Sequence, residues 1–341
     1  MITAVREGFD VFECLKCHHK WEHSGGVSEQ KFGKRKKPIK KIVALLLIIT
    51  VLGAVLWNGP LILSTFQKIT GSQSPIQTCE ELRNYALFLI NTDRAAHGVQ
   101  NLSLSEVDSA QRHADDMLKY DFFSHWDTNG YKPYMRYTLA GGQGAVAENI
   151  AAVTQGAPSD VKQALKTLEW NMMNDDAEWN WGHRDNILNA FHNKVSIGVS
   201  YGNDQVYFVQ DFVNEYVRWT AFSVTQNEVA LIGSLSKQMS LSQVNIFYDS
   251  PPSTLTKDQL EKSPYNGAYT QGTFVGMVVP SGYESTEGIT INADTWSQSG
   301  LTFQVRFNPT PVFNTHGKGV YTLYLQSSGQ ASLTSYSIWN D

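Results

Sequence analysis

Beyond residue 78 the sequence has one cysteine, Cys79, of the three in its 341 residues. That part of the chain forms no internal disulfide, and its stability has to come from its core. A second scarcity is local: from Ile42 to Leu63 no residue carries a charge. These 22 positions span about 33 Å as a helix, enough to cross the apolar part of a bilayer. A cleaved signal peptide usually has a shorter head, a shorter apolar run and an A-x-A-like site. Here the head has 41 residues and no clear A-x-A follows.

The charge distribution agrees with a membrane anchor. Residues 1–41 hold 10 Lys/Arg and 5 Asp/Glu, while the remainder is acidic, giving a net charge of -5 overall. The basic run Lys-Phe-Gly-Lys-Arg-Lys-Lys-Pro-Ile-Lys-Lys ends at the apolar stretch. The excess of Lys and Arg there places residues 1–41 in the cytoplasm and everything after about residue 64 outside. A basic head joined to an acidic body indicates two compartments and no nucleic-acid surface.

The cytoplasmic head contains Cys14-x-x-Cys17 followed by His18, His19 and His23. Thiolate and imidazole suit zinc, which takes four ligands. Cys14, Cys17 and His23 with His18 or His19 would complete one site, or two chains would share it. A full zinc ribbon needs a second ligand pair, and none follows. The competing reading is a pair of free thiols on a tail.

Residues 64–77 read as a polar linker. Helical periodicity then predicts a helix through Leu82, Tyr85 and Leu89, stopping at Gly98. A second helix is expected with Ser105 as N-cap and Val107, Ala110, Ala114 and Leu118 on one face. A short helix is expected around Tyr134, and another over about 158–174. Two alternating runs joined by Gly202-Asn203-Asp204 predict a hairpin. Residues 78–218 therefore read as an α+β domain with an α/β/α layering. From 219 to 341 the texture changes to short alternating runs between turn residues, an antiparallel β-sandwich with a helical turn near Lys257. Trp296 and Trp339 there read as core, with a carbohydrate platform as the alternative.

Chemistry concentrates in the middle domain. His125 lies in "FFSHWD", Glu148 is the one carboxylate in "AVAENIAA", acids follow a helix in "NMMNDDAEW", and His183 stands in "GHRDNIL". Two imidazoles and a carboxylate held in apolar surroundings can bind a divalent cation, or serve as a general acid and base. Each is also explicable as a structural anchor: Glu148 bonding nearby main chain, His183 capping a helix. His113 and His192 read as structural or surface residues. Asn101-Leu-Ser103 matches a glycosylation sequon.

The order "FFSHWD", "ENIA", "GHRDNIL" and "VSIGVSY…VYFVQDF", from about Leu82 to Phe212, resembles the CAP superfamily. This SCP-like family includes cysteine-rich secretory proteins, antigen 5 and pathogenesis-related proteins, and its prokaryotic, disulfide-free branch is most similar. The resemblance implies an α/β/α sandwich with a cleft carrying two His and two Glu. His125, Glu148 and His183 match three of the four. The second Glu would lie three residues after Trp170, where the chain has Met173; Asp176 or Glu178 is the alternative. The resemblance further implies that His125 and His183 contact zinc or another divalent cation. Trp179 or Trp181, with Ile187 and Leu188, would anchor the loop of His183, held also by Arg184 and Asn186. The expected function is a membrane-anchored extracellular protein whose cleft binds a metal and a lipid, cell-wall or protein ligand. The alternative is a metal-assisted hydrolase with Glu148 as general base.

Overall fold

The computed structural model describes residues 78–285, 287–329 and 331–340. Cys14, Cys17, His18, His19, His23, the apolar stretch 42–63 and the linker lie outside the described residues. Among the described residues, no helix is long and apolar enough to cross a membrane. Cys79–Asp341 forms one compact unit.

The chain begins with α1 (Cys79–Ala96), a two-residue strand β1 (Ser103–Leu104), α2 (Ser109–Tyr120) and α3 (Pro133–Leu139). Next come β2 (Ala145–Val153), α4 (Val161–Asn174), α5 (Gly182–Leu188) and the hairpin β3 (Lys194–Gly202) and β4 (Gln205–Asn214). The four strands form one sheet in the order β1-β3-β4-β2. Among the described residues, β2 is therefore an end strand, paired only with β4.

The period of two in β4 sorts the layers. Val206, Phe208 and Phe212 enter a core with Leu82, Ala86 and Ile90 of α1, Leu165 and Leu168 of α4, and Ile187 of α5. Tyr207 and Val209 enter the opposite core, with Ala110, Ala114 and Met117 of α2. This is the expected α/β/α layering. α2 sits close on β3 because Gly198 lacks a side chain: a Cβ there would come within 2.0 Å of the Ala110 carbonyl oxygen.

α2 starts three residues later than the sequence suggests, with Asp108 at the N-cap position. Ser105 does not cap it; its hydroxyl accepts the Val107 N–H at 3.2 Å in the turn before the helix. The cause is tertiary: β1 pairs in parallel with β3, which holds residues 103–105 extended. By contrast, α4 has a local cap, since the Asp160 carboxylate accepts the Lys162 N–H at 3.0 Å.

Two further sheets follow. β5 (Val217–Val224), β6 (Val229–Leu235), β10 (Thr295–Ser299) and β11 (Thr302–Phe307) form one, ordered β10-β11-β6-β5. β7 (Leu241–Asp249), β8 (Thr273–Val279), β9 (Ile289–Asn292), β12 (Gly319–Ser327) and β13 (Ser332–Asn340) form the other, ordered β13-β12-β7-β8-β9. Leu231, Val305 and Phe307 of the first share a core with Val244, Leu323 and Leu333 of the second. The sandwich is mostly antiparallel, with β8 and β9 parallel. Trp296 packs against this core, and Trp339 lies edge-on to Tyr131 at 6.3 Å, so neither stands as a free platform.

The connection from β7 to β8 leaves the sandwich and lies on the first domain. It carries a helical turn, α6 (Lys257–Leu260), closed by a capping box between Thr256 and Gln259. Leu255 and Leu260 join the core of α2. Lys257 pairs with Asp121 at 2.6 Å, and the Leu255 N–H bonds the Thr128 carbonyl at 2.9 Å. Lys132 and Tyr134 both bond Asp249, at 2.7 and 2.5 Å. Gly130, at φ +79°, permits the close approach, because a Cβ would lie 2.5 Å from the Ser253 carbonyl oxygen.

Candidate functional site

A cavity of 590 Å³ opens along the outer edge of β2, and both His125 and His183 line it. Cross-strand register explains how one short motif serves both. Glu148 lies opposite Asp211 and Asn149 opposite Gln210. Consecutive strand residues point to opposite faces, so Glu148 works on the α2 and α3 side and Asn149 on the α4 and α5 side.

On the first side, His125 Nδ1 is 2.8 Å from Glu148 Oε1. The other carboxylate oxygen accepts from Arg136 Nη2 at 2.5 Å, and the Glu148 side chain is fully buried. Arg136 also donates through Nη1 to the carbonyls of His125 at 2.6 Å and Tyr131 at 3.0 Å. Burial, and then the Arg136 charge, pull the His125 pKa down to about 3, so the ring is neutral. Burial pushes Asp211 well above the ordinary carboxylate range, reinforced by the Glu148 charge. A neutral Asp211 removes the repulsion that two facing carboxylates would create. Its second oxygen accepts from Ser109 at 2.5 Å.

On the second side, Asp176 does the work. Its side chain is 1% exposed. Oδ1 lies 2.5 Å from His183 Nδ1, and Oδ2 accepts the N–H groups of His183 at 2.9 Å and Arg184 at 3.2 Å. Asp176 thus caps α5 and orients the imidazole at once. Asn149 Nδ2 donates to the His183 carbonyl at 3.0 Å, and Asn186 Nδ2 donates to Asn149 Oδ1 at 2.9 Å. Gln210 continues the chain to Glu169 at 2.5 Å. Arg94, wholly buried, holds the segment after α5 through the carbonyls of Ile187, Asn189 and His192.

Each imidazole therefore has its Nδ1 held by a buried carboxylate, which leaves Nε2 as the remaining ring nitrogen. Each also has an aromatic neighbour. Trp179 lies edge-on to His183 at 6.2 Å, and Tyr269 lies 4.9 Å from His125. Tyr269 comes from the β7–β8 connection, and its hydroxyl accepts the Glu148 N–H at 3.0 Å. Burial, then the Glu148 charge, push its phenol up, so it stays protonated.

Several expectations need correction. Glu178 is exposed, and Met173 is buried in the α1–α4 core, so Asp176 alone meets the second His. Trp179 and Trp181 do not anchor the loop: they are 54% and 39% exposed, and Ile187 is the buried anchor. Just before α5, Asn180 and Trp181 sit in left-handed backbone, at φ 54° and 61°. Glu148 has both oxygens engaged and no exposed surface. That geometry makes it the residue that orients His125 and leaves no oxygen for a water. His113 and His192 are structural, as expected: both are buried, bonding the Ser124 carbonyl at 2.8 Å and Asn214 Oδ1 at 2.7 Å.

Residues 87–212 match the CAP family, described as the cysteine-rich secretory protein family. This part of the chain is a CAP domain. No curated protein matches the chain. Among solved structures, the CAP domain of Enterococcal PrgA is 18% identical with a TM-score of 0.28, the match covering 40% of this chain and 62% of that one. An outer surface protein from Borrelia burgdorferi is 16% identical, TM-score 0.29, covering 39% and 92%. NaASP2, crystallised with Zn2+, is 15% identical, TM-score 0.30, covering 40% and 81%. In the CAP domain of this chain, no group of three or more His, Cys, Asp or Glu side chains is placed to hold a metal among the described residues. A cation at the cleft would be held by two imidazole nitrogens, with its other positions open.

Proposed function

We propose that this chain is a single-pass membrane protein whose CAP domain and β-sandwich face the exterior, and whose cleft binds a divalent cation together with a lipid, cell-wall or protein ligand. The observation that carries this reading is the matched pair, His125 on Glu148 and His183 on Asp176, bordering one cavity. A carboxylate on Nδ1 fixes the tautomer that presents a lone pair at Nε2, which is how metal-binding imidazoles are supported. Two nitrogen donors suit a weakly held zinc ion with exchangeable positions, unlike the closed four-ligand set of a structural site. Binding ranks above hydrolysis because Glu148 is sealed behind His125 and Arg136. A metal-assisted hydrolase would need His125 or His183 to move the proton.

The test is a calorimetric zinc titration of the full chain in detergent, with Cys14→Ser and Cys17→Ser removing the cytoplasmic thiolates. Micromolar binding that disappears in His125→Ala/His183→Ala supports the reading. Binding that is absent, or indifferent to both replacements, removes the metal from the cleft.

A further inference from the structure

β2 is unusually bare for an end strand. An end strand presents a row of main-chain N–H and C=O groups without partners, and most are blunted by charge, proline, a bulge or short length. At the opposite end of the same sheet, β1 is only two residues long. β2 runs nine residues, pairs with β4 without a bulge, and contains one charged residue, Glu148, whose side chain turns inward.

The free edge lies inside the cleft, since every residue from Val146 to Ala152 lines the cavity. In an antiparallel pair, main-chain groups turn alternately toward the partner and off the edge. The Glu148 N–H points off the edge, because it bonds the Tyr269 hydroxyl. Ile150 and Ala152 therefore turn their main-chain groups off the same edge. Among the described residues, neither takes part in a main-chain bond beyond the β2–β4 ladder. Tyr269 thus covers one position of a longer row, and the next two, the buried Ile150 and the half-buried Ala152, have no main-chain partner off the edge among the described residues.

The surroundings restrict what can pair there. Asp175 and Asp185 line the cavity with exposed carboxylates, Glu148 and Asp176 line it with theirs buried, and no Lys or Arg lines it among the described residues. Anionic ligands are disfavoured. The open edge also runs between the two histidines, because Glu148 reaches His125 and Asn149 reaches the His183 carbonyl. A volume of 590 Å³ is within the roughly 300–1,000 Å³ of ordinary ligand pockets.

We propose that the ligand of this cleft is an extended peptide segment, neutral or basic in composition, that pairs with β2 at Ile150 and Ala152 as a fifth strand of the sheet. Strand addition takes its affinity from main-chain hydrogen bonds and its selectivity from alternate side chains. The proposal rests on reading the cleft as a ligand site and is independent of the metal.

The experiment uses the full chain in detergent with EDTA, screened by fluorescence polarisation against acetylated, amidated hexapeptides of basic, neutral and acidic composition. Basic and neutral members bind and acidic ones do not. N-methylation at alternate peptide nitrogens lowers affinity about tenfold, the loss of one or two hydrogen bonds, while methylation at the intervening ones does not. Ala152→Pro removes one off-edge donor where an end strand tolerates proline, and lowers affinity comparably with the fold intact by circular dichroism. Bound peptide slows amide exchange at Ile150 and Ala152. No binding by any hexapeptide overturns the proposal, as does binding indifferent to N-methylation. Binding of chitotetraose in place of peptides assigns the cleft to glycans. Peptide binding in EDTA with a failed zinc titration removes the metal reading and leaves this one standing.

Discussion

The Tyr269 ring lies 4.9 Å from that of His125. The two residues come from different sheets' connections, yet Tyr269 also accepts the Glu148 N–H. The β7–β8 connection therefore forms part of the cleft wall, and the His125 side of the site is built by both halves of the compact unit.

Replacing Tyr269 separates its ring from its hydroxyl. Tyr269→Phe keeps the packing but leaves the Glu148 N–H without its acceptor, at a cost of about 1–3 kcal/mol. Tyr269→Ala also removes the ring and costs more, about 3–5 kcal/mol. Urea denaturation checks both values. Faster amide exchange at Glu148 in the Phe variant checks the assignment.

Asp176 serves His183 as Glu148 serves His125, so removing its charge acts on the metal through the imidazole. Asp176→Asn lowers zinc affinity about 10–100-fold. It costs only about 1 kcal/mol of stability, since Asn also caps helices well. The Cys14→Ser/Cys17→Ser background described above, titrated calorimetrically, measures the first effect, and denaturation the second. A loss of stability without a loss of affinity would make Asp176 a cap alone.

His125, Glu148 and His183 are legible in the sequence because each stands in a compact motif of its own. Asp176 is legible only as one of two acids, since the choice depends on where α4 ends and how the chain doubles back onto α5. Helices α1 and α4 and the β3–β4 hairpin follow from their periods. β2 does not: Ala-Val-Ala-Glu-Asn-Ile-Ala-Ala-Val has few β-branched residues, and its strand character comes from pairing with β4. Arg136, Asp211 and Tyr269 carry no local signal either. Arg136 reads as one cation in a short helix, Asp211 as one acid in a strand, and Tyr269 reaches the site only through the path of a connection from the sandwich.

Arg136 is the cation that makes the buried carboxylates tolerable. Arg136→Met leaves the Glu148 charge without its partner, and breaking such a pair costs about 3–5 kcal/mol. Arg136→Lys does not rescue it, because a single ammonium cannot replace a fork that bonds Glu148 and two carbonyls. The double variant Arg136→Met/Glu148→Gln loses less than the sum of the two single losses. A double-mutant cycle by urea denaturation reads the difference directly, and additive losses would show the pair to be uncoupled.

Glu169 gives the stability of the protein a pH dependence with a definite sign. Burial pushes its pKa up to about 8, and one of its carboxyl oxygens is buried without a partner. Unfolded, the group returns to the ordinary carboxylate range near 4.5. The folded state therefore holds a proton that the unfolded state releases across this window. Stability from Glu169 is fully present below about pH 4.5 and is lost as pH rises through about 8. Glu169→Gln cannot ionise, so it escapes that loss while keeping an amide able to bond Gln210. The variant should match the wild type near pH 4 and exceed it at pH 8.5, by ~2–4 °C in Tm for each kcal/mol recovered in a protein of this size. Thermal melts at the two pH values decide it: an equal difference at both would place the Glu169 proton elsewhere.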